Sequence, residues 1–579
     1  MATEDLLAEF PPVATDAWEA AIQKDLKGAD YAKKLIWQTE EGISVRPYYR
    51  AEDIADLQHM RTAPGAYPYA RGARNNGEWR IREEIHATEI ESANQAAQKA
   101  VIAGAEEIAF VDASVSCAAE LSLLLINLQE IPVHFVGCSE ALLTLLAAHL
   151  SRHARPAGIS ADFDPLTDPD FAASLLAESP ATLLPFSVHA DAFEEGGANA
   201  AEELGLALAA GIDSLAALQD KGVAVDRAAA ALSFQFSIGS NYFFQIAKIR
   251  AFRTLWARAV ESFGGMQESA KTRIHARTSR WNKTLYDAHV NVLRTTTEAM
   301  SAVLGGVDSL TVAPFDECYR MPDEASRRLA RNTQVILRQE AHFARVADPG
   351  AGSYYLEYLT DALAQQAWKL MQSIEAAGGY RLAKSLIEEI LQKSMATREK
   401  SVAQRRRVFT GTNQYANRNE QALERIDPAY LTENRATWQY EQLRLRTERA
   451  AAQGRIIPTV LLAEIGDVKM RAARSGFATN FFACAGFLIE TKRFENPAEI
   501  ATSNADLFVL CSSDAEYLAL AEALIAALKC SEKEIPVLIA GNPETAEQLT
   551  ALGVADFIHI RSNPLVTLTQ WQKRFGIED

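Results

Sequence analysis

The sequence has no long hydrophobic run and no excess of basic residues. Its apolar stretches, such as residues 121–126, fall far short of the roughly 18–20 residues that a membrane-spanning helix needs, so we expect no such helix. With 58 Lys and Arg against 75 Asp and Glu, the net charge is −17. This charge argues against sequence-independent binding to nucleic acid or to anionic membranes, both of which require a basic face.

Cysteines are few and common short motifs are absent. The six cysteines are scattered without a CxxC pair, which predicts reduced thiols rather than disulfides or a zinc site. The first residues, MATEDLLAEF, resemble neither a secretion signal nor a transit peptide, so we expect a cytoplasmic protein. No GxGxxG, Walker P-loop, GxSxG, HExxH or EF-hand pattern is present, and none of these motifs identifies a function.

From Trp79 onward, short strand-like runs alternate with Ala- and Leu-rich helical stretches. Such alternation predicts parallel strands joined by right-handed crossovers. The number of runs is eight, which favours an α/β fold with a closed (β/α)8 barrel of the TIM type. The predicted strands cover residues 79–86, 105–113, 131–137, 181–190, 230–239, 272–279, 309–315 and 344–348.

Three further segments flank the predicted barrel. An amphipathic helix, Asp16 to Lys27, cannot form a core of its own and must lie on this chain's body or on a partner. Five strand–helix units after residue 455 predict a flavodoxin-like (Rossmann-like) doubly wound sheet. The predicted organisation is an N-terminal arm at 1–45, the barrel at 46–360, a helical linker region at 361–455 and the flavodoxin-like domain at 456–579.

The predicted strand 272–279 carries charged side chains on one face. Arg273, His275 and Arg277 alternate along it and therefore point to the same side. If that side faces the barrel interior, the guanidinium groups need acids or an anionic ligand. One interpretation is an anion site with His275 as acid or hydrogen-bond donor, and the other is a salt-bridged polar plug. The acids that could pair with these arginines are Glu83, Glu84, Asp316 and Glu317.

Three other features suggest weaker hypotheses. Phe234 and Phe236 share one face of their strand and would help to block the barrel axis if they pointed inward. The run Gly350–Ser353 could cradle a phosphate or simply form a tight turn. In the second domain the first strand ends in AEIGDVKMR (463–471), at the edge where doubly wound sheets bind ligands.

Nine stretches, in order along nearly the whole chain, resemble the methylmalonyl-CoA mutases. They are RPYYRAEDI (46–54), PGAYPYARG (64–72), SNYFFQIAKIRAFRTLWAR (240–258), IHARTSRW (274–281), RTTTEAM (294–300), GGVDSLTVAPFDE (305–317), ARNTQ (330–334), VADPGAGSYYLE (346–357) and VFTGTNQY (408–415). The C-terminal segment resembles the cobalamin-binding domain of the same family.

The resemblance implies an isomerisation between methylmalonyl-CoA and succinyl-CoA by radicals that adenosylcobalamin generates. In the family's catalytic chains the CoA tail follows the barrel axis, and the lower cobalt ligand is a His in a D-x-H-x-x-G motif. Lys469 or Met470 stands at that His position here, and Ala472 or Ala473 stands at the glycine. The comparison implies that no cofactor-binding or metal-binding residue is intact in this chain.

The barrel motifs depart from the family pattern as well. Ala192 and Glu194 replace the His and Gln of H-x-Q-E-A-G-A, and Phe243 replaces a tyrosine. In H-A-Q-T-S-G-W, His275 is retained as a vestige. The Gln and Gly of that motif are arginines here, at positions 277 and 280. No catalytic set is therefore intact.

These changes imply the small, non-catalytic subunit of a bacterial heterodimeric mutase. Such a chain is inactive alone, and it stabilises a paralogous large subunit that binds adenosylcobalamin and that the N-terminal arm contacts. We expect a closed barrel axis, no bound cobalamin, and no nucleic-acid or membrane partner. Two alternatives stay open: an active acyl-CoA mutase with altered cobalamin ligation, and a regulatory module that binds an acyl-CoA or a nucleotide.

Overall fold

The computed structural model describes residues 13–153 and 157–578. Residues 1–12 of the predicted arm lie outside this range. The described part of the arm contains α1 (Thr15–Asp25), α2 (Tyr31–Leu35) and an antiparallel hairpin of β1 (Trp37–Gln38) and β2 (Ser44–Val45). The predicted amphipathic helix is confirmed as α1. No residue of α1 is buried, and the Trp18 ring stacks on Tyr48 with centroids 5.0 Å apart.

A closed barrel of eight parallel strands forms the body of the chain, which confirms the predicted fold class. Each strand pairs with its neighbours in sequence, and the last pairs with the first. Its elements are β3 (Arg80–His86), α3 (Ile90–Ile102), β4 (Glu107–Val111), α4 (Ala118–Leu124), β5 (Val133–Val136), α5 (Glu140–Arg152), β6 (Ile159–Phe163), α6 (Pro169–Glu178), β7 (Leu183–His189), α7 (Ala190–Glu195), α8 (Ala200–Asp220), α9 (Val225–Ala231), β8 (Leu232–Ile238), α10 (Tyr242–Ser262), β9 (Arg273–Thr278), α11 (Val290–Gly305) and β10 (Ser309–Thr311).

The set of strands that forms the barrel differs from the predicted set at two strands. The predicted strand 344–348 is wrong, because this segment contains the 3₁₀ turn Phe343–Arg345 and a bend. The strand β6 was not predicted, although it pairs with both β5 and β7 and is needed to close the barrel. The other seven predicted strands are confirmed, and residues 272–279 form the seventh strand rather than the sixth.

Phe234 and Phe236 point away from the barrel axis, so the condition under which they would help to block it is not met. The ring of Phe234 packs edge-on against Phe252 and Trp256 of α10, with centroids 4.5 and 4.7 Å away. Gly211 of α8 lies over the same rings, and a Cβ there would come within 2.6 Å of the Trp256 ring. The aromatic layer is thus the contact between the barrel and its outer helices.

Long helices follow the barrel and lead to the second sheet. They are α12 (Glu324–Gln339), α13 (Tyr354–Ala376), α14 (Lys384–Ala403) and α15 (Trp438–Ala452). The helix α13 runs across residue 360, the predicted end of the barrel segment, and packs against α8 and α10. The domain boundary there stays a prediction.

The C-terminal part is a parallel five-stranded sheet with helices on both faces. Its elements are β11 (Thr459–Glu464), α16 (Val468–Ala483), β12 (Leu488–Arg493), α17 (Pro497–Thr502), β13 (Leu507–Cys511), α18 (Tyr517–Cys530), β14 (Val537–Ile539), α19 (Ala546–Leu552), β15 (Asp556–Phe557) and α20 (Pro564–Arg574). The strand order β12-β11-β13-β14-β15 is that of a flavodoxin-like sheet, as predicted. The order reverses beside β11, which makes the carboxyl edge of β11 and β13 the ligand-binding crevice of such folds.

Across the described helices, none is both long enough and apolar enough to cross a membrane.

Candidate functional site

The barrel interior is lined with polar side chains from alternate strand positions. Arg277 of β9 is buried and forms ion pairs with two carboxylates. Its Nε and Nη2 donate to the two oxygens of Glu84 at 3.0 Å each, and Nη2 also donates to Glu317 at 2.6 Å. Burial alone would lower the pKa of Arg277, but the two carboxylates outweigh it and raise the pKa well above its usual value. The polar face of β9 therefore points inward, as both interpretations of that strand require.

Only two of the four predicted acids pair with this arginine. Glu83 points outward and accepts a hydrogen bond from Arg331 of α12 at 2.5 Å. Asp316 is fully buried and accepts from Arg320 at 2.7 Å. Arg273, at the amino end of β9, is exposed. A second ion pair lies in the interior, where Arg82 donates to Glu107 of β4 at 2.6 Å.

His275 is buried and held by a serine. Its Nδ1 lies 2.8 Å from the hydroxyl of Ser309 on the neighbouring strand β10. Burial, reinforced by the positive charge of Arg82, lowers the pKa of His275 well below its usual value. His134 of β5 shows the same arrangement, with Nδ1 2.9 Å from the Ser160 hydroxyl and a lowered pKa caused first by burial. Both imidazoles are therefore neutral at pH 7, and neither is poised as an acid.

A third histidine, missed by the sequence analysis, sits at the carboxyl ends of β6 and β7. His189 Nε2 lies 3.3 Å from Asp162, and its Nδ1 lies 3.4 Å from Asp191. Burial alone would lower the pKa of His189, but these carboxylates raise it to about 10. The backbone N–H groups of Gly137 and Cys138 also donate to Asp162. This group was missed because β6 was missed. The alternation ISADF (159–163), with apolar residues at every second position, was the available signal.

Side chains at other positions that depart from the mutase pattern also contact residues of this chain. The buried carboxylate of Glu194 accepts hydrogen bonds from Ser237 at 3.0 Å and from Ser279 at 3.3 Å. Arg280 lies on the surface, 3.6 Å from Glu195. Phe243 is 47% exposed, and its ring packs edge-on against Tyr355.

The Gly350–Ser353 run forms a tight turn at the start of α13. The Ser353 hydroxyl caps this helix by accepting from Leu356 N, and Gly352 N donates to Glu357 at 2.9 Å. The turn donors are thus engaged by the chain itself, which favours the tight-turn reading over a phosphate cradle.

At the carboxyl edge of the second sheet, Glu516 occupies the crevice beside β11. Its Oε2 accepts hydrogen bonds from Asp467 N at 3.1 Å and from the hydroxyls of Ser512 and Ser513 at 2.7 and 2.6 Å. These hydrogen bonds, that from Ser513 first, lower the pKa of Glu516 to about 2. An internal anion therefore takes up these donor groups at the edge of the crevice.

Lys469 and Met470 lie in the first turn of α16, next to this crevice. Asp467 caps the helix by accepting from Met470 N at 2.8 Å. Lys469 is exposed and Met470 is half-buried. A Cβ at Gly466 would approach the Glu516 carboxylate to 2.6 Å, so only glycine allows the carboxylate to lie so close. Within the described residues, no three His, Cys, Asp or Glu side chains are grouped as metal ligands would be.

Comparisons with known proteins agree on one family. The model of the methylmalonyl-CoA mutase family matches residues 38–117 and 172–473. A methylmalonyl-CoA mutase small subunit of Porphyromonas gingivalis is 39% identical, over 99% of this chain and 99% of that protein. A small subunit of Streptomyces virginiae is 33% identical over 99% and 98%. A methylmalonyl-CoA mutase of Cereibacter sphaeroides is 31% identical over 80% of this chain and 71% of that protein.

Proposed function

The chain belongs to the methylmalonyl-CoA mutase family, and from that premise we propose that it is the small, non-catalytic subunit of a heterodimeric mutase. In this proposal a paralogous large subunit carries adenosylcobalamin and isomerises methylmalonyl-CoA and succinyl-CoA. This chain binds no cobalamin, stabilises the large subunit, and acts with it in the cytoplasm. The relatives that match it over nearly their full length are named small subunits, which supports this assignment.

The observation that carries the proposal is the chemistry of the β11 edge, which does not fit a cobalt site. Lys469 is exposed to solvent, and lysine is not among the usual ligands of transition metals in proteins. Met470 offers only a soft thioether. The carboxylate of Glu516 lies between the ends of β11 and β13 and accepts hydrogen bonds from both. In this proposal, no step of the reaction therefore takes place on cobalamin bound to this chain.

The barrel interior supports the same conclusion. A substrate tail along the axis would have to displace the Arg277 ion pairs with Glu84 and Glu317, as well as the Arg82–Glu107 pair. Separating buried ion pairs leaves uncompensated charges, each of which costs several kcal/mol. The two neutral imidazoles beside these pairs supply no acid. What the interior residues do is hold the barrel closed and rigid.

The test is a titration of the purified chain with adenosylcobalamin, monitored by absorbance and followed by gel filtration. We expect no cobalamin to co-elute with the chain alone. The co-expressed large subunit should elute with it as a heterodimer that binds one cobalamin and has mutase activity. The large subunit expressed alone is the matched control, and we expect it to be less stable.

His275→Asn separates this proposal from the alternative of an active chain. Asparagine keeps a hydrogen-bonding group near Ser309 but removes the imidazole. The heterodimer should retain its turnover within about twofold if this chain is structural. Loss of turnover in a folded His275→Asn heterodimer, or stoichiometric cobalamin on this chain alone, would overturn the proposal.

A further inference from the structure

A ribbon of aromatic side chains runs from the N-terminal arm to two helices around the barrel. Trp18 of α1 stacks on Tyr48 with ring centroids 5.0 Å apart. Tyr49, the next residue, stacks on Tyr355 of α13 at 5.4 Å. The Tyr355 ring in turn packs edge-on against Phe243 of α10 at 5.5 Å. These ring contacts join three separate parts of the chain: the arm, α10 and α13.

The ribbon and its flanks are open to solvent. Phe243 is 47% exposed, and Tyr354, which precedes Tyr355 in the chain, is 42% exposed. On the arm side, Trp37 of β1 is 49% exposed and its ring lies 5.7 Å from that of Phe244. Single exposed hydrophobic side chains are ordinary on a protein surface, whereas a contiguous group of large ones marks an interaction site.

Two arginines lie over rings of the ribbon. The guanidinium of Arg50 is 5.8 Å from the centre of the Trp18 ring, and that of Arg46 is 4.9 Å from the centre of the Tyr49 ring. Tryptophan, tyrosine and arginine are the residues most enriched among those that contribute most of the binding energy in protein interfaces. The composition of the ribbon therefore favours a protein as its partner.

The helix α1 at the end of the ribbon gains little cover from its own chain. It has 11 residues, none of which is buried. Isolated helices shorter than about 12–15 residues are marginal in water, and most helices in proteins are stabilised by packing against other elements. A second protein that covers α1 would supply the packing that this chain does not.

Charge also favours association at the arm. Residues 13–50 contain six basic and six acidic side chains, so this segment is neutral in a chain of net charge −17. Like charges that face each other across an interface are destabilising, and the cores of interfaces contain few charged residues. The arm is thus a part of the chain where charge repulsion opposes association least.

We propose that the aromatic ribbon and α1 together form the docking surface for the large subunit, an inference that rests on the proposed function. The relatives that are named small subunits support a partner subunit as the occupant. Because the ribbon is continuous with α1, one protein can cover both. The interface then extends beyond the arm to the first residues of α10 and α13, where Phe243 and Tyr354 act as anchors.

The test is the dissociation constant of the full-length chain for its purified large subunit, measured by biolayer interferometry. Phe243→Ala should raise this constant about tenfold or more, and Tyr354→Ala is a second variant with the same expected direction. The matched control is Met266→Ala, since Met266 is 63% exposed and follows the other end of α10. A helix rises about 1.5 Å per residue, so the length of α10 places this control roughly 30 Å from Phe243, and it should bind like the wild type.

Circular dichroism and urea unfolding check the fold of each variant. Wild-type affinity in folded Phe243→Ala and Tyr354→Ala chains would overturn this inference and leave the proposed function intact, because the heterodimer would still form. Failure of the wild-type chain to bind the large subunit would overturn both. Sedimentation of the chain alone tests the other occupant: we expect a monomer, and a dimer that Phe243→Ala dissociates would assign the surface to a second copy of this chain.

Discussion

Arg277 of β9 reaches across β10 to Glu84 of β3, with two parallel hydrogen bonds of 3.0 Å. The two residues lie on strands that are not neighbours, because β10 pairs with both and separates them. This bidentate pair therefore joins the last strands of the barrel to the first over the interior. Both side chains lie on the inward-facing sides of their strands.

Removal of Arg277 should destabilise the chain strongly. In Arg277→Met, the carboxylates of Glu84 and Glu317 stay in the interior without a cation. Breaking one partner out of a buried ion pair costs about 3–5 kcal/mol in the free energy of unfolding. Urea unfolding followed by circular dichroism measures this loss.

Arg280→Gln is the matched control. The Arg280 side chain lies on the surface, and its ion pair with Glu195, at 3.6 Å, is exposed to solvent. It should change the free energy of unfolding by less than about 0.5 kcal/mol. A loss below about 1 kcal/mol in Arg277→Met would contradict the structural role of the pair.

Stability should fall at acid pH in a way that depends on Glu84. Burial alone would raise the pKa of this carboxyl, but the charge of Arg277 and its hydrogen bonds outweigh burial and lower the pKa to about 2. Because the folded-state pKa is below the unfolded value, the contribution is complete above about pH 4.5 and is lost as the pH falls towards 2. Urea unfolding at a series of pH values measures it.

Glu84→Gln isolates this carboxyl from the other acids of the chain. The variant should lose stability at neutral pH and show a shallower decline between about pH 4.5 and pH 2 than the wild type. Equal slopes in the two proteins would show that other carboxyls account for the acid limb.

The alkaline limb should depend on His189. Because Asp162 and Asp191 outweigh burial and raise the pKa of this imidazole to about 10, the folded chain binds a proton that the unfolded chain releases near pH 6.5. Its contribution is complete below about pH 6.5 and is lost as the pH rises towards 10. NMR of the ring should show His189 still protonated at about pH 8, while His275 is neutral.

His189→Gln should remove the part of the decline in stability that begins near pH 6.5. His86→Gln is a suitable control, because His86 lies in an exposed position at the end of β3. A neutral His189 ring at about pH 8 would show that the two aspartates do not hold the proton.

The sequence predicted which faces of the strands carry charge but not which face looks inward. In a barrel both faces are buried, one by the interior and one by the outer helices, so alternation alone leaves the direction open. The alternation correctly grouped Arg277 with the polar residues of its strand and Phe234 with the apolar residues of its strand. The contacts of Phe234 with Phe252 and Trp256 are tertiary and settle that the apolar face points outward.

The two errors in strand assignment have a similar cause. The residues ARVAD (344–348) and ISADF (159–163) are both five-residue runs with mixed polarity. The strict alternation of ISADF was the one signal in the sequence, and pairing settles the difference: Ile159 and its neighbours find partners on β5 and β7, whereas the first run contains part of a 3₁₀ turn. The hydrogen bonds of Glu516 were likewise unpredictable, because Ser512, Ser513 and Asp467 come together only in the folded sheet.

Restoring a histidine should not restore cobalamin binding. In Lys469→His or Met470→His the imidazole would stand in the first turn of α16, but the Glu516 carboxylate still lies at the crevice and engages its donors. We expect neither variant to retain hydroxocobalamin through gel filtration. The double variant Lys469→His/Glu516→Ala tests the crevice itself. Cobalamin that co-elutes with either single variant would show that the missing histidine alone accounts for the lost site.

Removal of the Trp18 side chain should weaken the partner complex more than it weakens the fold. No residue of α1 is buried, and Trp18 stays 46% exposed although its ring stacks on Tyr48. Trp18→Ala should therefore lower the free energy of unfolding by less than about 1 kcal/mol. If the arm contacts the large subunit, the same change should raise the dissociation constant of the heterodimer by about tenfold or more, since a buried tryptophan is a common interface anchor.

Gln23→Ala is the matched control on the same helix, because Gln23 is exposed and polar. Biolayer interferometry with immobilised large subunit measures both variants, and urea unfolding of the chain alone measures the fold. Unchanged affinity of Trp18→Ala would place the partner interface elsewhere. A large loss of stability in the isolated chain would instead assign Trp18 to this chain's own core. The expected pattern, a stable variant with weakened assembly, follows from a helix that covers no core of its own chain.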